Sequence, residues 1–525
     1  MLTALIQRRV QYGVLRPLTT LFAALFLLCS ATTVSGQHYE YSGLTAFDAG
    51  AYDNFGNAVA VEGDVAVIGA FGDDASGGTD SGSAYIYRRE GPDWVYHQKI
   101  EPLSAEGGAY FGSAVDIIDD MIIVGARSHQ NRGMAFVFRY DPYNDIWVEE
   151  DQLRPMDNLG GDAFGCSIAA SGRYMAIGAC MEDTMGSGAG AVYIYEYEDS
   201  IEKWVELSKF WASDGSTDEW FGEYLDMDGD YVVVGLYKDD PNGSRSGSAY
   251  IFQRSGGYWN QMTKLIPSDG STEYYYGSDV AISGNTVIVG AKWDWPGASR
   301  CGSAYVYTGS GSSWSLQQKL YDPNGTHWDN LGCSVALDGD VAVIGALSDN
   351  DNVTDSGSAY VFTRSGSTWT QRPKLYDSGG VALDQFGCTV DVSGTAAVVG
   401  AQADSWNGTY CGSACAFGNV LMILTVDPDP LIGGQNATFT LSGGLPSTNS
   451  FLAYSLRGIG TTSVPQLNIT IDLNKPAQAG GIAKTNSSGI ANWTLPVPGA
   501  GSGRSVWFQA LQYECKSSVL ATSIQ

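Results

Sequence analysis

Helix-forming pattern is missing from this chain: across 525 residues no stretch places apolar side chains at the i, i+3, i+4, i+7 spacing of an amphipathic helix. Basic residues are scarce, 28 against 57 acidic ones, for a net charge of −29. A protein of that sign repels a phosphate backbone, so nucleic acid is excluded as a partner. Histidine occurs only at His38, His97, His129 and His327, in no shared motif, and there is no C-x-x-C or Cys/His cluster of the zinc-binding kind. G-x-S-x-G, H-E-x-x-H and phosphate-cradling Gly-Lys-Ser/Thr loops are also absent, which removes the usual sequence grounds for an enzyme. Carboxylate pairs for a polysaccharide-active enzyme would have to come from loops, where spacing shows no geometry. The longest apolar core, Leu21 to Leu28, falls short of the roughly 18 residues a membrane span needs.

What is present is repetition. FGNAVAVEGDVAVIGA from Phe55 returns from Phe111, Phe164, Phe221, Tyr276, Leu331 and Phe386, at intervals of 53 to 57 residues. Each copy has an alternating run, a Gly-centred turn and a near-continuous apolar run, which predicts two antiparallel strands joined by a tight hairpin. Gly63, Gly172, Gly229, Gly284, Gly339 and Gly394 fall where that hairpin wants positive φ. A third strand follows as GSAYIY from Gly82 and its equivalents. A fourth is led by Trp94, Trp147, Trp204, Trp259, Trp314 and Trp369. Four short strands per unit, repeated seven times, predict an all-β, seven-bladed β-propeller. The seventh unit lacks its Trp strand, and Tyr39 to Ala46 precedes the first, so the N-terminal segment is expected to complete the last blade and close the ring.

The chain divides into three parts. Residues 1–36 have the form of a secretory signal peptide, with Arg8, Arg9 and Arg16 ahead of the apolar core and small residues before Gln37. Residues 37–419 are the propeller. Residues 420–525 hold only four acids and five bases, and runs such as ATFTLSG, LNITIDL and SVWFQALQYE predict a small Ig-like β-sandwich. The expected location is secreted or at the cell surface.

Phe-Gly and Gly-Ala in fixed phase resemble the FG-GAP repeat, which builds the seven-bladed head of integrin α subunits. The resemblance covers residues 37–419 and implies a non-catalytic adhesion or binding module with an extracellular protein ligand; a carbohydrate-binding surface protein is the alternative. Family repeats commonly carry a calcium loop between the Phe-Gly and Gly-Ala strands. Here that place holds a tight turn such as Glu62-Gly63-Asp64, too small to wrap a cation that wants six to eight oxygens. Calcium there is not carried over. Acids crowd other loops, on the face that carries the Phe-Gly starts: Asp73, Asp74 and Asp80, then Asp239 and Asp240, then Asp349, Asp351 and Asp355. They read either as solvated turn residues or as ligands for calcium or a basic partner.

Cys166 and Cys180 lie at matching ends of one hairpin and are expected to pair as a disulfide, while Cys301, Cys333, Cys388 and Cys411 have no readable connectivity. Sequons at Asn242, Asn324, Asn352, Asn407, Asn436, Asn468, Asn486 and Asn492 are candidate glycosylation sites. The repeated Phe and Trp residues read as packing between blades. Trp220, Tyr274, Tyr275, Trp293, Trp295, Trp328 and Trp406 lie in loops outside the repeat, where aromatic rings can stack on sugars.

Overall fold

In the computed structural model, the described residues are 41–90, 93–157, 160–297, 299–350, 353–377, 379–418 and 420, with strand segments between 423 and 523. The expected signal segment, Asn352 and Asp351, Asn468 and Asn486 lie outside them. Strand dominates, and among the described residues the one helical turn is a 3-10 turn at His129–Asn131. None of the described helices is long and apolar enough to cross a membrane.

Seven four-stranded antiparallel sheets follow one another. Blade 1 comprises Val59–Glu62, Val65–Ala70, Ser83–Glu90 and Asp93–Ile100, and blade 2 comprises Phe111–Ile118, Met121–Ala126, Met134–Asp141 and Ile146–Leu153. Blades 3 to 6 repeat the pattern. In blade 7, Thr389–Ser393, Ala396–Ala401 and Ser413–Phe417 are completed by Tyr41–Leu44, in the register Tyr41 opposite Phe417 and Leu44 opposite Ala414. The ring therefore closes with the N-terminal strand, as expected from the missing Trp strand, and the outer edge of blade 7 is paired like the rest.

The hairpin glycines take positive φ, 56° at Gly63 and 59° at Gly172. In blade 2, which lacks a glycine there, Asp119 adopts 54° instead. The motif glycines do a different job. A Cβ on the Gly-Ala glycine of one blade would run into the carbonyl oxygen of the Phe-Gly glycine of the next: Gly69 into Gly112, Gly125 into Gly165, and so on to Gly400 into Gly56. Glycine recurs at both places because two backbones meet there. Seven parallel bridges, from Gly82 with Phe111 to Gly412 with Phe55, run around the same seam.

The apolar cores lie between blades. One joins Ala60, Val67 and Ile86 of blade 1 to Phe111, Val124 and Phe136 of blade 2; another joins Ala396, Val398 and Ala416 of blade 7 to Phe55, Ile68 and Tyr85 of blade 1. Each sheet is covered on both faces, which is why the second and third strands read as unbroken apolar runs. Beyond residue 420 the chain is again β: Ile423–Asp427, Asn436–Ser442 and Ala491–Pro496 form one sheet, and Asn449–Ser455, Ala477–Lys484 and Ser505–Gln512 belong to another.

Candidate ligand-binding face

With four antiparallel strands per blade, the loops after Gly-Ala and those before Phe-Gly emerge on one face. The acidic residues on it separate into two kinds. Asp73 is buried and accepts from Lys99 Nζ at 2.6 Å, Ser83 Oγ at 2.5 Å and the Tyr85 hydroxyl at 3.1 Å, while the same lysine reaches Asp48 at 2.7 Å. Lys264 likewise joins Asp214 at 2.7 Å to Asp239 at 2.6 Å, and Lys319 joins Asp269 at 2.7 Å to Asp294 at 2.6 Å. In blade 6, Lys374 lies 2.8 Å from Asp349, and in blade 3 Lys209 lies 2.8 Å from Glu182. The cation at Asp73, Asp239 and Asp349 is thus a lysine of the protein itself. Burial alone would lower the ammonium of Lys99, Lys209 and Lys319, but the hydrogen bonds it donates to two carboxylates outweigh it and hold each above the ordinary lysine value.

The second kind shapes the loops. Asp74 accepts the backbone N–H of Asp80 at 3.0 Å, and Asp240 that of Arg245 at 2.6 Å. Asp80 and Asp355 stand at left-handed φ of 53° and 50°. Among the described residues no three His, Cys, Asp or Glu side chains converge as a metal would require. The lysine network left a signal in the sequence, Lys five residues after five of the strand tryptophans and, after Lys209 and Lys264, Asp five residues further on, but the two partners come from different blades.

Among the described residues, seven cysteines stand as free thiols. Cys166 and Cys180 are neighbours across the bulged start of strand Phe164–Ser171, in thiol–thiol hydrogen-bonding contact and without the expected bridge; that contact, then burial, pushes the Cys180 thiol up. Cys166, Cys333 and Cys388 share the position after Phe-Gly or Leu-Gly and aim their sulfurs at the next blade's glycine carbonyl, Cys333 at 3.3 Å from that of Gly387. Burial pushes Cys333 up to about 12 and Cys388 up to about 11. Cys301 and Cys411 are buried beside the glycine that starts the third strand. Of the sequons, Asn242 and Asn324 are exposed in the loop face, Asn407 donates to the carbonyl of Ala49 at 3.0 Å, Asn492 is exposed in a C-terminal strand, and Asn436 opens another.

Four of the seven loop aromatics are gathered into one surface over blades 4 to 6. Tyr237 stacks on Tyr275 with centroids 5.6 Å apart, Tyr275 lies 4.3 Å from Trp293, and Trp293 lies 5.5 Å from Trp328. His327 then bridges Trp328 at 4.8 Å and Trp295 at 5.8 Å. Cations interleave with the rings. The Arg300 guanidinium is 4.8 Å from both Trp293 and Trp328, Lys292 covers Tyr237 and Tyr275 at 5.5 and 5.7 Å, and Lys238 lies over Trp220. Arg245 donates to the Tyr275 hydroxyl at 3.0 Å, and Arg300 is braced by the carbonyl of Glu273 at 2.8 Å. Trp295 and Trp328 remain 47% and 43% exposed and are the accessible part of the group. Below them the carboxyl of Glu223 is pushed up by burial, against the pull of Lys238, Lys292 and Arg127. Tyr274 is half-buried, its carbonyl accepting the Trp293 backbone N–H at 3.2 Å, and Trp406 is 50% exposed on blade 7.

A family model described as FG-GAP repeat matches the chain seven times, over residues 40–87, 94–138, 147–195, 204–252, 259–307, 314–362 and 369–417. Each match starts at or near the fourth strand of one blade and ends in the third strand of the next. No curated protein matches. Among solved structures, Sqt1 of Saccharomyces cerevisiae is similar at 10% identity and a TM-score of 0.39, covering 93% of this chain and 99% of its own. The periplasmic gluconolactonase PpgL of Pseudomonas aeruginosa (12% identity, TM-score 0.41) and a putative 6-phosphogluconolactonase of Bacteroides uniformis (10%, 0.42) each cover 62% of this chain and 86% of their own.

Proposed function

The chain belongs to the FG-GAP repeat family, and from that premise we propose that it is an exported, non-catalytic binding protein that holds an extracellular protein ligand on the loop face of blades 4 to 6. The carrying observation is the aromatic cluster of Trp293, Trp295 and Trp328, backed by buried Tyr275 and interleaved with Arg300 and Lys292. Trp, Tyr and Arg are the residues that most often dominate protein interfaces, because they offer large rigid area together with a polar handle. On a protein of net charge −29, a cationic aromatic patch favours a ligand whose contact surface is acidic. The half-exposed rings of Trp295 and Trp328 favour a second reading, a glycan stacked on them. The signal-like residues 1–36 support export, and the exposed sequons Asn242 and Asn324 support glycosylation. The C-terminal strands fit a β-sandwich that displays the propeller.

The test is binding of the full chain to immobilised extracellular proteins and to a glycan array, in parallel with W328A and R300A. Saturable binding to a protein, weakened by about 2 kcal/mol or more in W328A as at a hot spot, supports the first reading. Binding confined to glycans replaces it with the second. Binding that both variants retain in full removes the site.

A further inference from the structure

Blade 2 breaks the lysine network at every position at once. Where blade 1 has Asp48, Asp73, Ser83, Tyr85 and Lys99, blade 2 has Ser104, His129, Met134, Phe136 and Gln152. What remains of the network is one weak contact, Gln152 Nε2 to Ser104 Oγ at 3.4 Å. Removing a lysine together with both its carboxylates is electrostatically self-consistent, and Met134 and Phe136 fill their share of the place with buried apolar side chains. His129 is buried among them. A cavity of about 390 Å³ opens here, lined by His129, Arg132, Met134, Arg154, Pro155 and Met156 among others.

The chemistry of that lining is the reverse of the other blades. At the positions where the other blades carry two carboxylates blade 2 has Ser104 and His129, and the cavity adds the guanidinium groups of Arg132 and Arg154. His129 is wholly buried, packed edge-on to Phe136 at 5.3 Å, and neither ring nitrogen has a hydrogen-bond partner. The nearest carboxylate, Glu106, stays 3.8 Å from Nδ1 and accepts the backbone N–H of Gln130 instead. A buried imidazole whose ring nitrogens make no hydrogen bond is costly. Its presence beside a cavity of ligand size is explained if the partner is a ligand. Guanidinium forks suit planar or tetrahedral oxyanions, which they bind through paired N–H donors.

We propose that the blade 2 cavity binds a small oxyanion-bearing molecule, a carboxylate, phosphate or sulfate on a body of about monosaccharide size, through Arg132, Arg154 and His129. The site lies in the opposite half of the ring from the aromatic surface and stands or falls independently of it.

Isothermal titration of the full chain with glucuronate, inorganic phosphate and sulfate tests the assignment and tells the three oxyanions apart. Saturable binding of at least one probe with Kd below about 1 mM is expected, weakened tenfold or more in Arg154→Gln, whose side chain is exposed. A variant that rebuilds the network, Ser104→Asp with His129→Asp, Met134→Ser, Phe136→Tyr and Gln152→Lys, is expected to fold and to bind none of the probes. Absence of saturable binding to all three probes overturns the proposal. So does equal binding by the wild type and Arg154→Gln, whatever the rebuilt variant does.

Discussion

Replacing Lys319 by methionine keeps most of the aliphatic stem and removes the one ammonium shared by Asp269 and Asp294. Those contacts are 2.7 and 2.6 Å long, and Asp294 is wholly buried, also accepting from the Tyr305 hydroxyl at 3.0 Å. Breaking a buried pair from one side strands the other charge, and a loss of about 3–5 kcal/mol at pH 8 follows. Without its lysine, Asp294 keeps its hydrogen bonds from Ser303 and Tyr305 but has no counter-charge. The sign with pH follows from linkage. In the wild type, Lys319 is held above its ordinary value, so its contribution is fully present below about pH 10 and is lost only as pH rises through the folded value. Guanidinium unfolding of both proteins at pH 5 and pH 8 measures this, and adding Asp294→Asn to Lys319→Met should restore a large part of the loss. A deficit under about 1 kcal/mol at pH 8, the size of an exposed ion pair, would show that the network is surface decoration and would refute the reasoning.

Three further outcomes are expected. Gly125→Ala drives a methyl into the carbonyl of Gly165 in the next blade and should cost about 1–3 kcal/mol or more. Gly63→Ala meets open space and carries only the left-handed strain of about 1–2 kcal/mol, so chemical denaturation should rank Gly125→Ala as the worse of the two. Phe221→Ala, in a fully buried inter-blade position, should lose about 3–5 kcal/mol, measured the same way. Asp226 bridges two inner strands by accepting the backbone N–H of Met227 at 2.7 Å and of Ile282 in the next blade at 2.7 Å, and burial, with repulsion from Asp391 and Asp279, pushes it up to about 7. Because that folded value lies above the unfolded one, its contribution is complete below about pH 4 and is lost as pH rises towards 7. Thermal melts of Asp226→Asn should therefore show a shallower decline than the wild type over that interval.

Everything with a period was legible in the sequence. Alternation, turn glycines and the Trp strand are local signals set by the two-residue pleat and by hairpin geometry, and seven equal units with one strand missing at the end and one spare at the start imply a closed ring. The recurring Phe-Gly and Gly-Ala glycines were visible too, although only the ring shows that they face each other across the blade boundary, Gly69 against Gly112. The candidate sites were not legible to the same degree, because they depend on which loops the curvature of the ring brings together. Asp73 and Asp74 are adjacent in the chain, yet one lies buried under Lys99 and the other is exposed and caps its own loop. Tyr237, Trp293 and Trp328 come from three blades and meet because those blades converge on one face. The imidazole of His129 reads as an isolated residue until it is seen beside Met134, Arg132 and Arg154 on the wall of one cavity. Local chemistry determined the module and the number of modules. Contacts between modules, which no single repeat contains, decided which charges are spent inside the fold and which are left to meet a ligand.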